Sequence, residues 1–374
     1  MGTSVGTAQP QEDVAARGMA ELLALREEAR RLGWYGRPVF RLLLDLAGHV
    51  GLALGGAAVF LFADGFWLRL CGLVVSTAGS IGVATFTHTA SHNAIARRVG
   101  ANEALVYFGY TFFWGLGATY WWHKHVAVHH PAPNVIGLDD DADFSPWLAL
   151  TQREVAESTG WKRVYYSRFQ HFVFPVLLAG MGFGMQSAAW GHLIKALRDP
   201  ARRSRKHWID LGVLIVHLAV WVGLPMLWFP ALNVIGFYAL RVSLMGFGVF
   251  AVSAPGHVPA YAVFIEPEDE SRDFLLRQTA TTANFTVGWL GRWLCSGLEY
   301  QIEHHLFPGI SHRYYPELSP RVQELCRRLG LPYHVYSWDR ALAMCFAVLA
   351  RPKRIEPSLE AFRLPPLGTG GTAG

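Results

Sequence analysis

Charge is scarce in this chain. Only 16% of its 374 residues are Asp, Glu, Lys or Arg, against about 25% in an ordinary soluble domain, and the deficit excludes a freely soluble globule. Cysteine is scarcer: Cys71, Cys295, Cys326 and Cys345 are scattered with no C-x-x-C pair, which excludes a disulfide framework and leaves buried or free thiols. No basic helix with base-reading side chains is present. The net charge of +5 and the pI near 9.1 therefore point to basic loops facing a membrane, with no nucleic-acid partner expected. There is no internal repeat. No cleavable signal peptide is expected, because residues 1–37 are polar and the first apolar run begins near Phe40. Met1-Gly2 opens like a myristoylation site, but Gly6 stands where Ser or Thr is needed.

What the chain has is apolar and aromatic. Hydrophobic residues make up 52%, with 14 Trp and 23 Phe, and mean hydropathy is +0.21. Aromatic residues gather at bilayer interfaces, so the expected class is an integral, multi-pass membrane protein. Crossing a bilayer takes about 20 mostly apolar residues. The candidates are 46–66, 68–87, 104–122, 172–194, 211–229 and 231–252. Residues 13–31 read as an amphipathic helix, placed either on the membrane surface or against the rest of the protein. The organisation expected is a polar and amphipathic segment over 1–38, one membrane domain over 39–350 and a flexible tail over 351–374.

Three histidine clusters sit at the ends of apolar stretches: His88-Thr-Ala-Ser-His92, His125-Val-Ala-Val-His129-His130 and Gln301-Ile-Glu-His304-His305. On a helix, residues four apart share a face, so His88 and His92 point to one spot, as do His125 and His129, with His130 one step around. Isolated histidines such as His49, His171 and His217 read as packed residues. Seven clustered imidazoles exceed what one zinc ion takes, and with hardly a carboxylate beside them they suit two redox metal ions. Imidazole suits iron, copper, nickel and zinc alike, so spacing does not name the metal. A pair of irons, reduced by two electrons in the presence of O2, generates an oxidant able to break an unactivated C–H bond. The substrate would then be a lipid delivered from the bilayer. Asp139, Asp140, Asp141 and Asp143 follow the second cluster and are candidates to orient its rings from behind.

One metal centre requires all the histidines on one side of the membrane. The segment 104–122 lies between the first two clusters and so cannot cross. Between the second and third clusters an even number of crossings is needed, and 172–194, with Pro175 and several glycines, is the weakest of three. That leaves four transmembrane helices, 46–66, 68–87, 211–229 and 231–252, under a helical cap. The basic linker from Lys195 to Lys206 places the cap in the cytoplasm.

The order HxxxH, HxxxHH, QIEHHLFP resembles the membrane fatty acid desaturases, and within them the front-end acyl desaturases. The third box, Gln301 to Pro308, is the most specific, with Gln where other desaturases place His. Trp121-Trp122, Pro133-Asn134, His257-Val258-Pro259, Arg272-Asp273, Gln278, Thr282-Ala283-Asn284, Tyr314 and the run from Pro320 to Tyr333 extend the likeness over roughly residues 40–340. The resemblance implies an all-α protein of four transmembrane helices under a cytoplasmic cap that holds a di-iron centre. It also implies an isolated histidine ligand before the third box. His257 fits that place, whereas spacing alone does not choose it over His312. The metal set is then His88, His92, His125, His129, His130, His257, His304 and His305, with Gln301 as a further catalytic-site residue.

The sequence departs from the family in three places. Thr89 stands where Asp is frequent. Three residues separate His125 from His129 where front-end members commonly have two, and His123 is spare. No His-Pro-Gly-Gly haem motif is present, so a separate ferredoxin or cytochrome-type electron donor is expected. The expected reaction is O2-dependent desaturation of an acyl-lipid or acyl thioester. The alternatives are a hydroxylase or oxidase on the same centre and, in another class, a metal transporter. Transporters place polar ligands near the bilayer midplane, unlike these histidines.

Overall fold

The computed structural model describes residues 8–141, 144–259, 261–265, 273–355 and 358–364. Asp143, Arg272 and the tail from 365 onward lie outside the described residues. The fold is helical. In chain order the helices are α1 (Ala8–Arg31), α2 (Val39–Phe62), α3 (Phe66–Ser91), α4 (Val99–Val106), α5 (Ala118–Trp121), α6 (Gln152–Glu157), α7 (Gly160–Val164), α8 (Gln170–Arg198), α9 (Arg205–Leu218), α10 (Ala231–His257), α11 (Phe274–Thr281), α12 (Trp289–Cys295), α13 (Gln301–Leu306), α14 (Tyr315–Leu329) and α15 (Trp338–Ala350). Two short strands, β1 (Asn284–Thr286) and β2 (Val335–Ser337), pair in parallel, with Asn284 opposite Val335.

Five helical stretches are long and apolar enough to cross a membrane: Val39–Phe62, Phe66–Ser91, Gly160–Arg198, Arg205–Leu227 and Ala231–His257. That is one more than the four expected, and the extra stretch contains α8. The candidate 104–122 is not one helix. After α4 a π-helix runs from Tyr107 to Trp114, and the chain reverses at Gly115, whose φ is 75°.

The α2–α3 hairpin packs backbone against backbone. A Cβ on Gly56 would lie 2.3 Å from the Ser76 nitrogen, and one on Gly79 would lie 2.3 Å from the Ala53 nitrogen; small residues permit such approach between membrane helices. At the turn, Phe62, Phe66 and Trp67 are exposed. The turn before α10 exposes Leu227 and Trp228, and its Phe229 ring lies 6.2 Å from Phe62. The two turns are therefore neighbours, and their aromatic residues form one belt.

At the other end of the helices α1, α11, α13 and α14 share a core that includes Leu22, Leu25, Leu276, Ile302, Leu306, Leu318 and Val322. α1 is thus packed on the protein. Ion pairs from Arg328 to Glu21 at 3.0 Å and from Arg321 to Glu28 at 2.7 Å fix it to α14.

Candidate metal centre

Each histidine cluster reaches the centre from a different element. α3 carries His88 near its last turn, and His92 follows directly after it. α5 continues as a π-helix over Trp122–His129. A π-helix closes i→i+5 bonds, and the His130 amide donates to the His125 carbonyl at 3.1 Å. The sequence reading assumed an α-helix and paired His125 with His129. Across this wider turn His125 Nε2 meets His130 Nε2, while the His125 ring also stacks on His129 at 5.1 Å, the pair that i, i+4 spacing expects, and His129 reaches His257 and His305 as well. α10 ends in His257, and the six residues of α13 present His304 and His305 on different faces.

Eight imidazoles converge in two groups. His88, His92, His125, His130 and His304 each offer a nitrogen within 4.8 Å of the others, and His129, His257 and His305 do the same. His88 Nε2 lies 2.9 Å from His304 Nε2 and 3.2 Å from His125 Nε2, which lies 3.1 Å from His130 Nε2. A neutral imidazole nitrogen carries either one hydrogen or one lone pair. Hydrogen bonds among the rings therefore cannot satisfy both contacts of His88 Nε2. Two nitrogens at right angles about a shared ion, each about 2.1 Å from it, sit about 3 Å apart. His92 Nε2, His257 Nδ1 and His305 Nε2 are buried without any hydrogen-bond partner. The donor set thus fits metal ions of the kind imidazole binds.

The electrostatics agree. Burial, followed by the neighbouring imidazoles, holds the His125, His130, His304 and His305 pKa values well below the ordinary histidine range, and burial with His129 takes His92 down to about 3. These rings stay neutral, which is the form that binds metal. His129 is the exception. Burial lowers its pKa, but the Asp139 carboxylate outweighs burial and raises it.

Several polar groups fix the rings from behind. His129 Nδ1 pairs with Asp139 Oδ2 at 2.8 Å. Asp139 also accepts from the Asn134 and Asp141 amides; burial works against its charge, yet His129 and these amides hold its pKa below the usual carboxylate range. His305 Nδ1 contacts Gln278 Oε1 at 2.8 Å, while the Gln278 amide donates to the His130 carbonyl. His304 Nδ1 lies 3.3 Å from the Tyr315 hydroxyl. Asn134 adopts a left-handed φ of 57° and its side-chain amide faces the His257, Val263 and Thr281 carbonyls at 2.9–3.2 Å. Gln301 is buried and its side chain meets His257; a Cβ on Gly256 would lie 2.4 Å from its Cγ.

The structure separates the sequence candidates. His257 joins the centre. His312 does not, and its Nδ1 faces Thr89 Oγ1 at 3.2 Å. His123 is exposed and stacks on His192. His217 is a bonded core residue between the Phe112 carbonyl and the Tyr238 hydroxyl. His49 is stacked on Trp293, and His171 lies against Phe172. Asp139 orients a ring, and Asp141 pairs with Lys124 at 3.0 Å. Asp140 lines the cavity beside the centre. Sequence reasoning did not reach Tyr315 or Lys124, since neither has a spacing that marks it.

An apolar cavity of about 580 Å³ opens against the histidines, within the size range of ligand pockets. His88, His125, His129, His257 and Gln301 lie at one part of its wall; Leu177, Met181 and Met185 of α8 and Val249, Phe250 and Ala254 of α10 form another.

Helices of membrane-crossing length, two groups of buried and half-buried imidazoles and an apolar cavity against them define a membrane-embedded protein whose histidine-rich centre lies beside that cavity. A family model described as "Fatty acid desaturase" matches residues 64–337, and the chain belongs to that family. It is an oxidoreductase of the fatty acid desaturase type. It is similar to the sn-1 linoleoyl-lipid 6-desaturase of Synechocystis sp., with 28% identity over 74% of this chain and 78% of the relative. It is also similar to the acyl-lipid (8-3)-desaturase of Thraustochytrium sp., with 29% identity over 91% and 75%, and to the Delta(6)-fatty-acid desaturase fat-3 of Caenorhabditis elegans, with 26% identity over 78% and 67%.

Proposed function

We propose that the chain desaturates the fatty acyl chain of a membrane lipid, using O2 and two irons. Eight imidazoles in groups of five and three against one apolar cavity carry this reading. His88, His92, His125, His130 and His304 would hold one iron. His129, His257 and His305 would hold the other, and Gln301 stands on the side poorer in imidazole. When bound, the irons supply the O2 reduction that makes C–H cleavage possible.

In the balanced reaction, –CH2–CH2– becomes –CH=CH–, and O2 with two further electrons and two protons becomes two waters. A separate electron-transfer protein of the ferredoxin or cytochrome class would supply the electrons. The chain's own residues do the rest. The cavity walls would hold the acyl chain against the imidazoles and keep water away. Asp139, Gln278 and Tyr315 set the ring orientations.

We also propose four crossings, α2, α3, α9 with its continuation, and α10, with the centre on the cytoplasmic side. The turns that meet at Phe62 and Phe229 lie at the helix ends opposite His88 and His257. Both ends of α8 support its remaining on the histidine side. Gln170 bonds the Ala149 and Leu349 backbones, and the His192 ring lies 5.3 Å from His123. Cysteines at Gly100→Cys and Pro200→Cys should resist an external impermeant reagent on intact cells, and labelling at either would overturn this topology.

The decisive test is lipid analysis of a host that expresses the chain with a reductase partner. A new double bond that requires O2 and disappears in His304→Ala supports the reading. A hydroxylated product, or an unchanged lipid profile with two irons bound, would sink it.

A further inference from the structure

The segment that delivers His125, His129 and His130 begins in a tight reversal, Gly115-Leu116-Gly117, between the π-helix ending at Trp114 and α5. Polar side chains from the membrane helices surround this reversal. Asp210 of α9 is fully buried. Its Oδ1 accepts from the Ala118 amide at 3.0 Å and the Thr111 hydroxyl at 2.8 Å, and its Oδ2 accepts from the Thr119 amide at 3.0 Å and hydroxyl at 2.6 Å. Four donors thus converge on one carboxylate, two of them the first amides of α5, where a negative charge is favoured.

On the other side of the reversal, the C-terminal end of the π-helix that closes at Trp114 is held by donors, as its polarity demands. His217 Nδ1 and Trp221 Nε1 meet the Phe112 carbonyl, Arg241 meets that of Phe113 and Gln186 that of Trp114. The two glycines make room for this grip. A Cβ on Gly115 would lie 2.7 Å from His217 Nε2 and 2.8 Å from Gln186 Nε2, and one on Gly117 would lie 3.0 Å from Asp210 Oδ2.

We propose that Asp210 is a positioning residue for the metal centre, acting through the first turn of α5 on the imidazoles that follow it. The path is short. Trp121 closes that turn, and its ring is stacked between Tyr110 at 4.3 Å and His125 at 4.4 Å. Releasing the Ala118 and Thr119 amides frees Trp121, and with it the ring of His125, whose Nε2 meets both His88 and His130.

This inference rests on the reading of the histidines as metal ligands, and one experiment separates the two. The full-length chain in detergent, stripped of metal, is titrated with cobalt(II) chloride, and the visible d–d bands report ligand number and geometry. Wild type should take up two equivalents; failure to bind cobalt at all would remove the metal reading and this inference together. Asp210→Ala should bind cobalt at least about tenfold more weakly, with shifted bands in the folded protein. Asp210→Asn, which keeps one acceptor oxygen, should lose less.

Thr77→Ala is the control for simple loss of stability, because among the described residues the Thr77 hydroxyl bonds only to Leu73 of its own helix. It should leave the bands unchanged even where melting falls. Wild-type bands and affinity in Asp210→Ala, or an equal shift in Thr77→Ala, would overturn the inference. If Asp210→Ala does not fold, Gly117→Ala presses a methyl group against the carboxylate and should shift the bands in the same way, and wild-type bands there would overturn it.

Discussion

The two groups of imidazoles are held differently. In the group of five, the contacts run from ring to ring. Three Nε2–Nε2 distances of 2.9–3.2 Å bind His304, His88, His125 and His130 into one set, and the closest outer partner is the Tyr315 hydroxyl at 3.3 Å from His304. In the group of three, the outer partners are closer. Asp139 and Gln278 each stand 2.8 Å from a ring nitrogen, and Gln301 meets the third ring. One group is specified by how many ligands it collects, the other by what stands behind each ligand. Centres built in these two ways should fail in different ways.

The largest effect should come from the richer group. His304→Ala opens a hole among rings that are one another's nearest polar neighbours, and activity should fall by more than about a hundredfold. Iron per chain should drop in the purified, still monodisperse protein. Full activity would sink the assignment of that ring.

Next comes the supporting carboxylate of the poorer group. Asp139→Asn leaves His129 in place but removes its charged partner, which should weaken metal binding at that group by about 10- to 100-fold and leave the other group loaded. A metal titration that resolves two affinities checks this. Equal weakening at both groups would erase the distinction between them.

Gln301 sharpens the comparison further. Gln301→His should keep both metals, since imidazole binds the same ions. Gln301→Leu offers no donor or acceptor to the metal, to a bound water or to a neighbouring ring, and should lose much of the activity. Normal iron and near-normal turnover in the Leu variant would remove Gln301 from the site.

The smallest effect is on the metal-free chain. The buried rings of His92, His125, His130, His304 and His305 refuse protons that the unfolded chain accepts below about pH 6.5. Their contribution to stability is complete above that value and falls as pH drops below it. His129, whose pKa is raised against burial by Asp139, runs the other way: its contribution is present in acid and is lost as pH rises through its folded value. The five outnumber the one, so melting temperature in detergent should decline from pH 7 to pH 5, and His92→Phe should flatten the slope. A flat profile in the wild-type chain would contradict the burial of these rings as neutral groups.

Much of the fold was legible because hydropathy and local spacing are short-range. The existence of α2, α3, α9 and α10 follows from apolar runs, though the bounds of α2 and α9 lie several residues earlier than the runs suggest, and His88 and His92 follow from i, i+4 spacing. α8 was harder. Twenty-nine mostly apolar residues satisfy a length criterion whether they face lipid or line a cavity, because both surroundings are apolar. The second cluster was legible in part for a related reason: its i, i+4 pair stacks as spacing expects, but the approach of His130 to His125 depends on a π turn, one residue of register that the letters His-Val-Ala-Val-His-His do not encode.

The sequence by itself determined that this chain carries apolar runs of membrane-crossing length and clusters its imidazoles with metal-ligand spacing. Both follow from residue type and spacing along one helix at a time. Only the tertiary structure decided which rings share a group; spacing leaves His257 and His312 open, the resemblance favours His257, and in the structure His257 lies among the rings while His312 faces Thr89. The tertiary structure also put Gln278 and Tyr315 behind the rings, and singled out Asp139 from the four acids the sequence offered. Asp139 and Tyr315 are 10 and 11 residues from the rings they support and Gln278 is 27 from His305, so their distances are set by turns and helix packing and not by any helical period.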